Sequence, residues 1–170
     1  MQNLYTQTIG IDGRPIKIHG AVAFDGMRKA GKLAAECLDF ITPHVQPNIS
    51  TNQLNQLCHD FVAARGGISA PLNYRGFPKS ICTSINHVVC HGIPSEKILR
   101  DGDIINIDVT TIVDGWHGDS SRMYTVGNIN RKAERLIETT FEAMWCGIRD
   151  IRTAQQWVRE GWKQILDAVF

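Results

Sequence analysis

The 170-residue chain reads as an α+β fold, an antiparallel sheet with helices packed on one face. Helical spacing occupies the stretch from Asp25 to Gly67, strand and turn texture runs from Ile68 to Gly127, and helical spacing then returns. Within the strand region, Asp114-Gly115 stands between two strand-like runs, a strong short-range hairpin signal.

The elements follow in order. Residues 1–20 read as a short arm with a turn at Gly13, Arg14 and Pro15. Met27, Ala30, Leu33, Ala34, Cys37, Leu38 and Ile41 recur at amphipathic-helix spacing, and Pro43 closes that helix. A second helix opens at Ser50 or Thr51, where Ser50 and Gln53 fit a capping box. Its inward stripe is Leu54, Leu57, Cys58, Phe61 and Val62, and Gly66-Gly67 suits a left-handed cap. Beyond Gly127, Leu136, Ile137, Thr140, Phe141, Met144, Ile148 and Ile151 share one helical face. The tail keeps only a loose stripe of Trp157, Ile165 and Val169.

Composition narrows the function. Apolar residues at 43% and charged residues at 21% suit a globular domain. A net charge of +1 without a basic run gives no electrostatic footing for nucleic acid. No run approaches the ~18 apolar residues of a membrane span, and the N-terminus lacks signal-peptide order. Cys37, Cys58, Cys82, Cys90 and Cys146 are widely spaced with no C-x-x-C, which suits reduced thiols. A cytoplasmic protein is expected, with neither nucleic acid nor membrane as partner.

A two-residue type I′ turn at Asp114-Gly115 pairs Val113 with Trp116, Asp108 with Ser121 and Thr110 with Asp119. Asp108 and Asp119 are then diagonal neighbours on one face, with Cα atoms roughly 7–8 Å apart. Ile105, Ile107 and Val109 point to the other face and mark it as core, and Arg122 also points away from the acids. Facing acids beside a core need a shared proton, a basic partner or a divalent cation. Turn capping or a solvated strand edge is the plainer account, and spacing alone does not exclude it. His117 falls on the acids' face; His19, His44 and His59 read as surface residues. No G-x-S-x-G surrounds Ser120-Ser121, so a serine nucleophile there is discounted.

Four ordered motifs go further: NYRGFPKSICTSIN at 73–86, VVCHGIP at 88–94, DGDIINIDV at 101–109 and DGWHGDSSRMYTVG at 114–127. Together they resemble the type I methionine aminopeptidases, metallopeptidases of the pita-bread (creatinase/aminopeptidase-like) fold. The resemblance spans about Asp25 to Ile151 and implies the first half of that fold. It implies removal of the initiator methionine from nascent polypeptides, near the ribosome, through a metal-activated hydroxide. Two divalent ions (Co, Mn, Fe, Zn or Ni) are implied, Asp108 holding one and Asp119 touching both. It makes His91 the catalytic imidazole that contacts substrate. Tyr74 and Cys82 fall where the family's methionine pocket draws some of its wall. His87 stands where the family more often carries an acid. A proline-specific peptidase of the same fold matches these motifs less well.

The resemblance also implies a histidine and two glutamates from a second half, and these residues are not found in the sequence. Around 152–155, Arg-Thr-Ala-Gln replaces the family's usual Pro-Gly break. Trp145, Trp157 and Trp162 then crowd the end, which suits a reading-frame change near Thr153 or a divergent truncation. The expected organisation is an arm over 1–20, an aminopeptidase-like half-domain over 21–152 and a divergent tail over 153–170. Two carboxylates leave most positions around two cations unfilled, so little or no activity is expected of the chain alone. The alternative is a non-catalytic pita-bread module that binds peptides or proteins.

Overall fold

A computed structural model of the chain describes the backbone of residues 5–10 and 13–169, with side chains over 6–10 and 13–150. It divides into two units, Met1–Ile129 and Asn130–Phe170. In the first, β1 (Tyr5–Ile9) and β2 (Pro15–His19) form an antiparallel hairpin where the sequence suggested only an arm. Ile16 and Ile18 stay exposed, so the hairpin adds nothing to the core.

Helix α1 (Ala21–Ile41) begins four residues before Asp25, where the helical spacing was expected to start. Gly20 offers no side-chain cap, which removes the usual sequence signal for its start. Ala30, Leu33, Ala34, Cys37, Leu38 and Ile41 are buried as expected, but Met27 is 48% exposed. At that turn Gly26 faces the sheet instead, because the Trp116 indole occupies the space of any Cβ there. Pro43 lies in a 3-10 turn, Thr42–His44, that ends the helix.

Helix α2 (Thr51–Ala63) carries the expected capping box. The Gln53 N–H donates to Ser50 Oγ at 3.1 Å and the Ser50 N–H to Gln53 Oε1 at 2.9 Å. Leu54, Cys58, Phe61 and Val62 are buried. Gly66 takes φ 72 just past the helix, and the Gly67 N–H reaches back to the Val62 carbonyl at 3.0 Å.

The sheet is antiparallel throughout and built around β5 (Ile104–Val113). Strand β6 (Trp116–Thr125) runs along one edge of it. On the other edge β3 (Ile68–Ser69) and β4 (Cys82–Ile85) pair with different stretches of β5. Asp114 and Gly115 have φ 51 and 81, the two positive angles of a type I′ turn. The register is Val113 with Trp116, Thr110 with Asp119 and Asp108 with Ser121, as the turn chemistry predicts.

Ile105, Ile107 and Val109 are at most 1% exposed and join the α1 and α2 stripes in one core. Helix α1 is fastened to the sheet by two buried hydroxyls. Thr111 Oγ1 donates to the Ala30 carbonyl at 2.9 Å and the Tyr124 hydroxyl to the Leu38 carbonyl at 2.7 Å. Gly118 lets β6 approach this helix, because a Cβ there would overlap the Ala30 backbone. Arg122 reaches Asp39 of α1 at 2.8 Å, on the side away from the acids.

The second unit holds α3 (Arg131–Val169), capped by Asn130 Oδ1, which accepts from the Lys132 and Ala133 N–H groups at 3.0 Å. Leu136, Phe141, Met144 and Ile148 lie exposed along it. The expected boundary at 152/153 falls inside α3. The side chains of Ile151, Trp157, Trp162, Ile165 and Val169 lie outside the described residues. Among the described residues, no helix is long and apolar enough to cross a membrane.

Candidate metal and peptide site

The outer face of the sheet opens into a cleft of about 770 Å³. The hairpin register makes its floor. Cys82 pairs with Asp108 across β4 and β5, and Thr110 pairs with Asp119 across β5 and β6. Cross-strand partners share a face, as do residues two apart on one strand, so all four side chains point the same way. Asp108, Thr110, Asp119 and Cys82 accordingly line the cleft together with His117.

Two loops complete it. Tyr74 and Arg75 come from a 3-10 turn, Tyr74–Gly76, and His91 from the segment after β4. His91 is held at φ 54, a left-handed conformation that is costly for a residue with a Cβ. Its neighbour Gly92 is zipped to β4. The Thr83 N–H donates to the Gly92 carbonyl at 2.8 Å, and the Gly92 N–H donates to Ser84 Oγ at 3.2 Å. A Cβ on Gly92 would run into the Thr83 carbonyl, so only glycine permits this approach. Gly92 thus has a local purpose, which is to let the loop that carries His91 press against the strand that begins at Cys82.

The electrostatics are those of an anion pair. Burial and the Asp119 carboxylate, which lies within hydrogen-bonding reach, raise the Asp108 carboxyl above its ordinary range, while the charge of His91 acts the other way. Burial, together with Asp108, Cys90 and Asp119, pushes the Cys82 thiol up to about 11, so it is a neutral wall at physiological pH. Two hard oxygen donors that repel each other suit a divalent cation, and the residues present fit one to that extent. Among the described residues, no group of three or more His, Cys, Asp or Glu side chains is placed to hold a metal ion.

Every site residue singled out from the sequence, namely Asp108, Asp119, His91, Tyr74 and Cys82, lines this one cleft, and so does His117. The structure corrects two other histidines. His59 is half-buried, its Nδ1 2.8 Å from Ser80 Oγ, and His44 is half-buried with its ring against Phe40. Arg75, Phe77 and Ile93 also line the cleft and were not singled out. All three lie inside the recognised motifs, Arg75 and Phe77 in 73–86 and Ile93 in 88–94, which was their available signal.

The metallopeptidase family M24 pattern matches residues 25–165, and the chain belongs to that family. It is a family of metal-dependent peptidases, and divalent metal use comes with membership. The chain is 64% identical over 137 residues to a methionine aminopeptidase of Rickettsia prowazekii, covering 81% of this chain and 53% of that one. It is 50% identical over 128 residues to the methionine aminopeptidase of Escherichia coli K12, covering 74% and 48%. Its fold matches the crystal structure of the Rickettsia prowazekii enzyme with a TM-score of 0.76 at 65% identity, over 76% of this chain and 52% of that one. A prolidase from Pyrococcus furiosus, at 18% identity and a TM-score of 0.61 over 73% and 35%, shares the fold alone. These neighbours make the architecture that of the pita-bread peptidases. The chain spans about half the length of the curated relatives it matches.

Proposed function

We propose that the cleft is the carboxylate side of a metallo-aminopeptidase centre, and that the protein removes the initiator methionine from nascent polypeptides. One observation carries the reading. Asp108 and Asp119 lie diagonally across β5 and β6 on the floor of a cleft whose wall holds His91. The identity to methionine aminopeptidases supports the choice of substrate. Asp108 and Asp119 would hold the divalent metal, drawn from Co, Mn, Fe, Zn or Ni. Bound there, such ions supply Lewis-acid polarisation of the scissile carbonyl and activation of water at neutral pH.

The chain's own residues do the rest. The His91 imidazole hydrogen-bonds the substrate amide and steadies developing charge. Tyr74 and the neutral Cys82 wall the methionine side chain. The setting we infer is the cytoplasm, close to where nascent chains emerge from the ribosome.

The test is binding of Met-Ala-Ser by the 170-residue chain in Mn(II), with N-acetyl-Met-Ala-Ser as the control. Expected is Mn-dependent binding of the free-amine peptide that Asp119→Asn abolishes, with little or no turnover, since two carboxylate donors face the cleft among the described residues. Binding indifferent to Mn(II), to the free amine and to Asp119 would overturn the reading. That result would favour a non-catalytic peptide-binding module.

A further inference from the structure

The cleft has a negative floor and an arginine on its loop wall. Asp108 and Asp119 form the floor, and Arg75 stands on the wall. Among the described residues, the ion pairs join Arg28 to Asp25, Lys32 to Glu36 and Arg122 to Asp39, and none includes Arg75. The exposed guanidinium instead lies 5.5 Å from the centroid of the Tyr74 ring.

Its loop is braced around it. Arg75 has φ 49, and its neighbours Asn73 and Gly76 have φ 65 and 83. The Asn73 N–H donates to the Phe77 carbonyl at 2.8 Å, and the Phe77 N–H donates to the Tyr74 carbonyl at 3.0 Å. A left-handed arginine carries a steric cost that glycine would avoid. The fold therefore spends stability to hold an unpaired planar cation at the lip of a peptide-sized cleft.

We infer that Arg75 is a specificity-determining residue that takes a carboxylate carried by the peptide beyond its N-terminal residue. This rests on the peptidase reading above. A peptide whose first residue sits over Asp108 and Asp119 can leave across the loop wall that carries Arg75. An extended chain advances about 3.3 Å per residue, which brings its second to fourth residues past that wall. A guanidinium takes a carboxylate through two parallel N–H donors, and the Tyr74 ring beside it, 5.5 Å from the guanidinium carbon, favours the cation's staying at this wall. The carboxylate is that of an acidic side chain or of the peptide's own C-terminus.

The experiment is calorimetry on the 170-residue chain in Mn(II) at low salt. The probes are Met-Glu-Ala-Ser, Met-Ala-Glu-Ser and Met-Ala-Ser-Glu as C-terminal amides, each against its Gln counterpart, plus Met-Ala-Gln-Ser as free acid. One Glu peptide is expected to bind about tenfold more tightly than its Gln partner, with the advantage shrinking at high salt. The advantage should vanish in R75Q, reverse in R75E and be only partly retained in R75K, which keeps the charge but not the two-donor fork, with circular dichroism showing each variant folded. A preference confined to the free acid and lost in R75Q also supports the assignment and names the C-terminus as the source. Glu and Gln peptides within twofold of each other, or a Glu preference that survives R75Q, overturns it while leaving the peptidase reading intact. Failure of every Met peptide to bind overturns both.

Discussion

Gly92→Ala tests how the His91 loop is held. The substitution adds one methyl, and Gly92 does not have a left-handed φ, so the backbone angle itself suits alanine. The cost is steric. The new Cβ would overlap the Thr83 carbonyl oxygen, and it would stand 2.8 Å from the carbonyl carbon and 3.1 Å from Ser84 Cα, where ordinary contact begins near 3.4 Å. Both neighbours are strand backbone, so the loop must retreat, by on the order of 1 Å. That retreat stretches the 2.8 Å Thr83–Gly92 and 3.2 Å Gly92–Ser84 hydrogen bonds past useful length. Two such bonds contribute about 1 kcal/mol each, so the loss is about 2 kcal/mol. For a unit of this size that lowers Tm by about 8 °C. The assay is thermal unfolding by circular dichroism with amide exchange at Thr83. Gly31→Ala is the control; it sits in α1 with nothing within 4 Å of its Cβ, and should stabilise by about 0.5–1 kcal/mol. A Gly92→Ala protein that melts with the parent and keeps Thr83 protected would refute the reasoning.

Other substitutions probe the remaining links. His91→Gly should be more stable than His91→Ala by about 1 kcal/mol in urea unfolding, because φ 54 penalises any Cβ. Thr111→Val removes the buried bond to the Ala30 carbonyl and should cost about 1 kcal/mol by the same measurement. Burial and Asp119 raise Asp108 in the metal-free fold above its unfolded value, so ionising it opposes folding at neutral pH. In chelator, Asp108→Asn should therefore melt above the parent at pH 7. The difference should close as pH falls through the raised value towards the ordinary carboxylate range near 4. Iodoacetamide at pH 8 should modify the exposed Cys90 well before Cys82, whose thiol titrates at about 11; mass spectrometry of the peptides reads the order.

Much of the site was legible because its geometry is local. The Asp114-Gly115 turn fixes the register of β5 on β6, and that register alone puts Asp108 and Asp119 on one face. Ser50 and Gln53 likewise announce α2 because a capping box is a four-residue event. The parts that were hidden depend on distant partners. Helix α1 begins at Ala21 behind an uncapped Gly20, and Met27 is displaced from the core by a contact between Gly26 and Trp116, ninety residues away in sequence. The β1–β2 hairpin buries little, so its residues carry no strong pattern. His59 reads as a surface residue until Ser80 is placed against it. Arg75 owes its position to three left-handed residues in one short loop, and composition gives no hint of that backbone path.

Asp108 and Asp119 are proposed above as the chain's cation donors. Paramagnetic broadening by Mn(II), followed residue by residue in the NMR spectrum, tests that assignment most directly. The expected result is broadening centred on Asp108, Thr110 and Asp119 that is lost in Asp119→Asn. Broadening centred on exposed acids elsewhere, such as Asp60 or Glu96, with these three signals left sharp, would contradict the account.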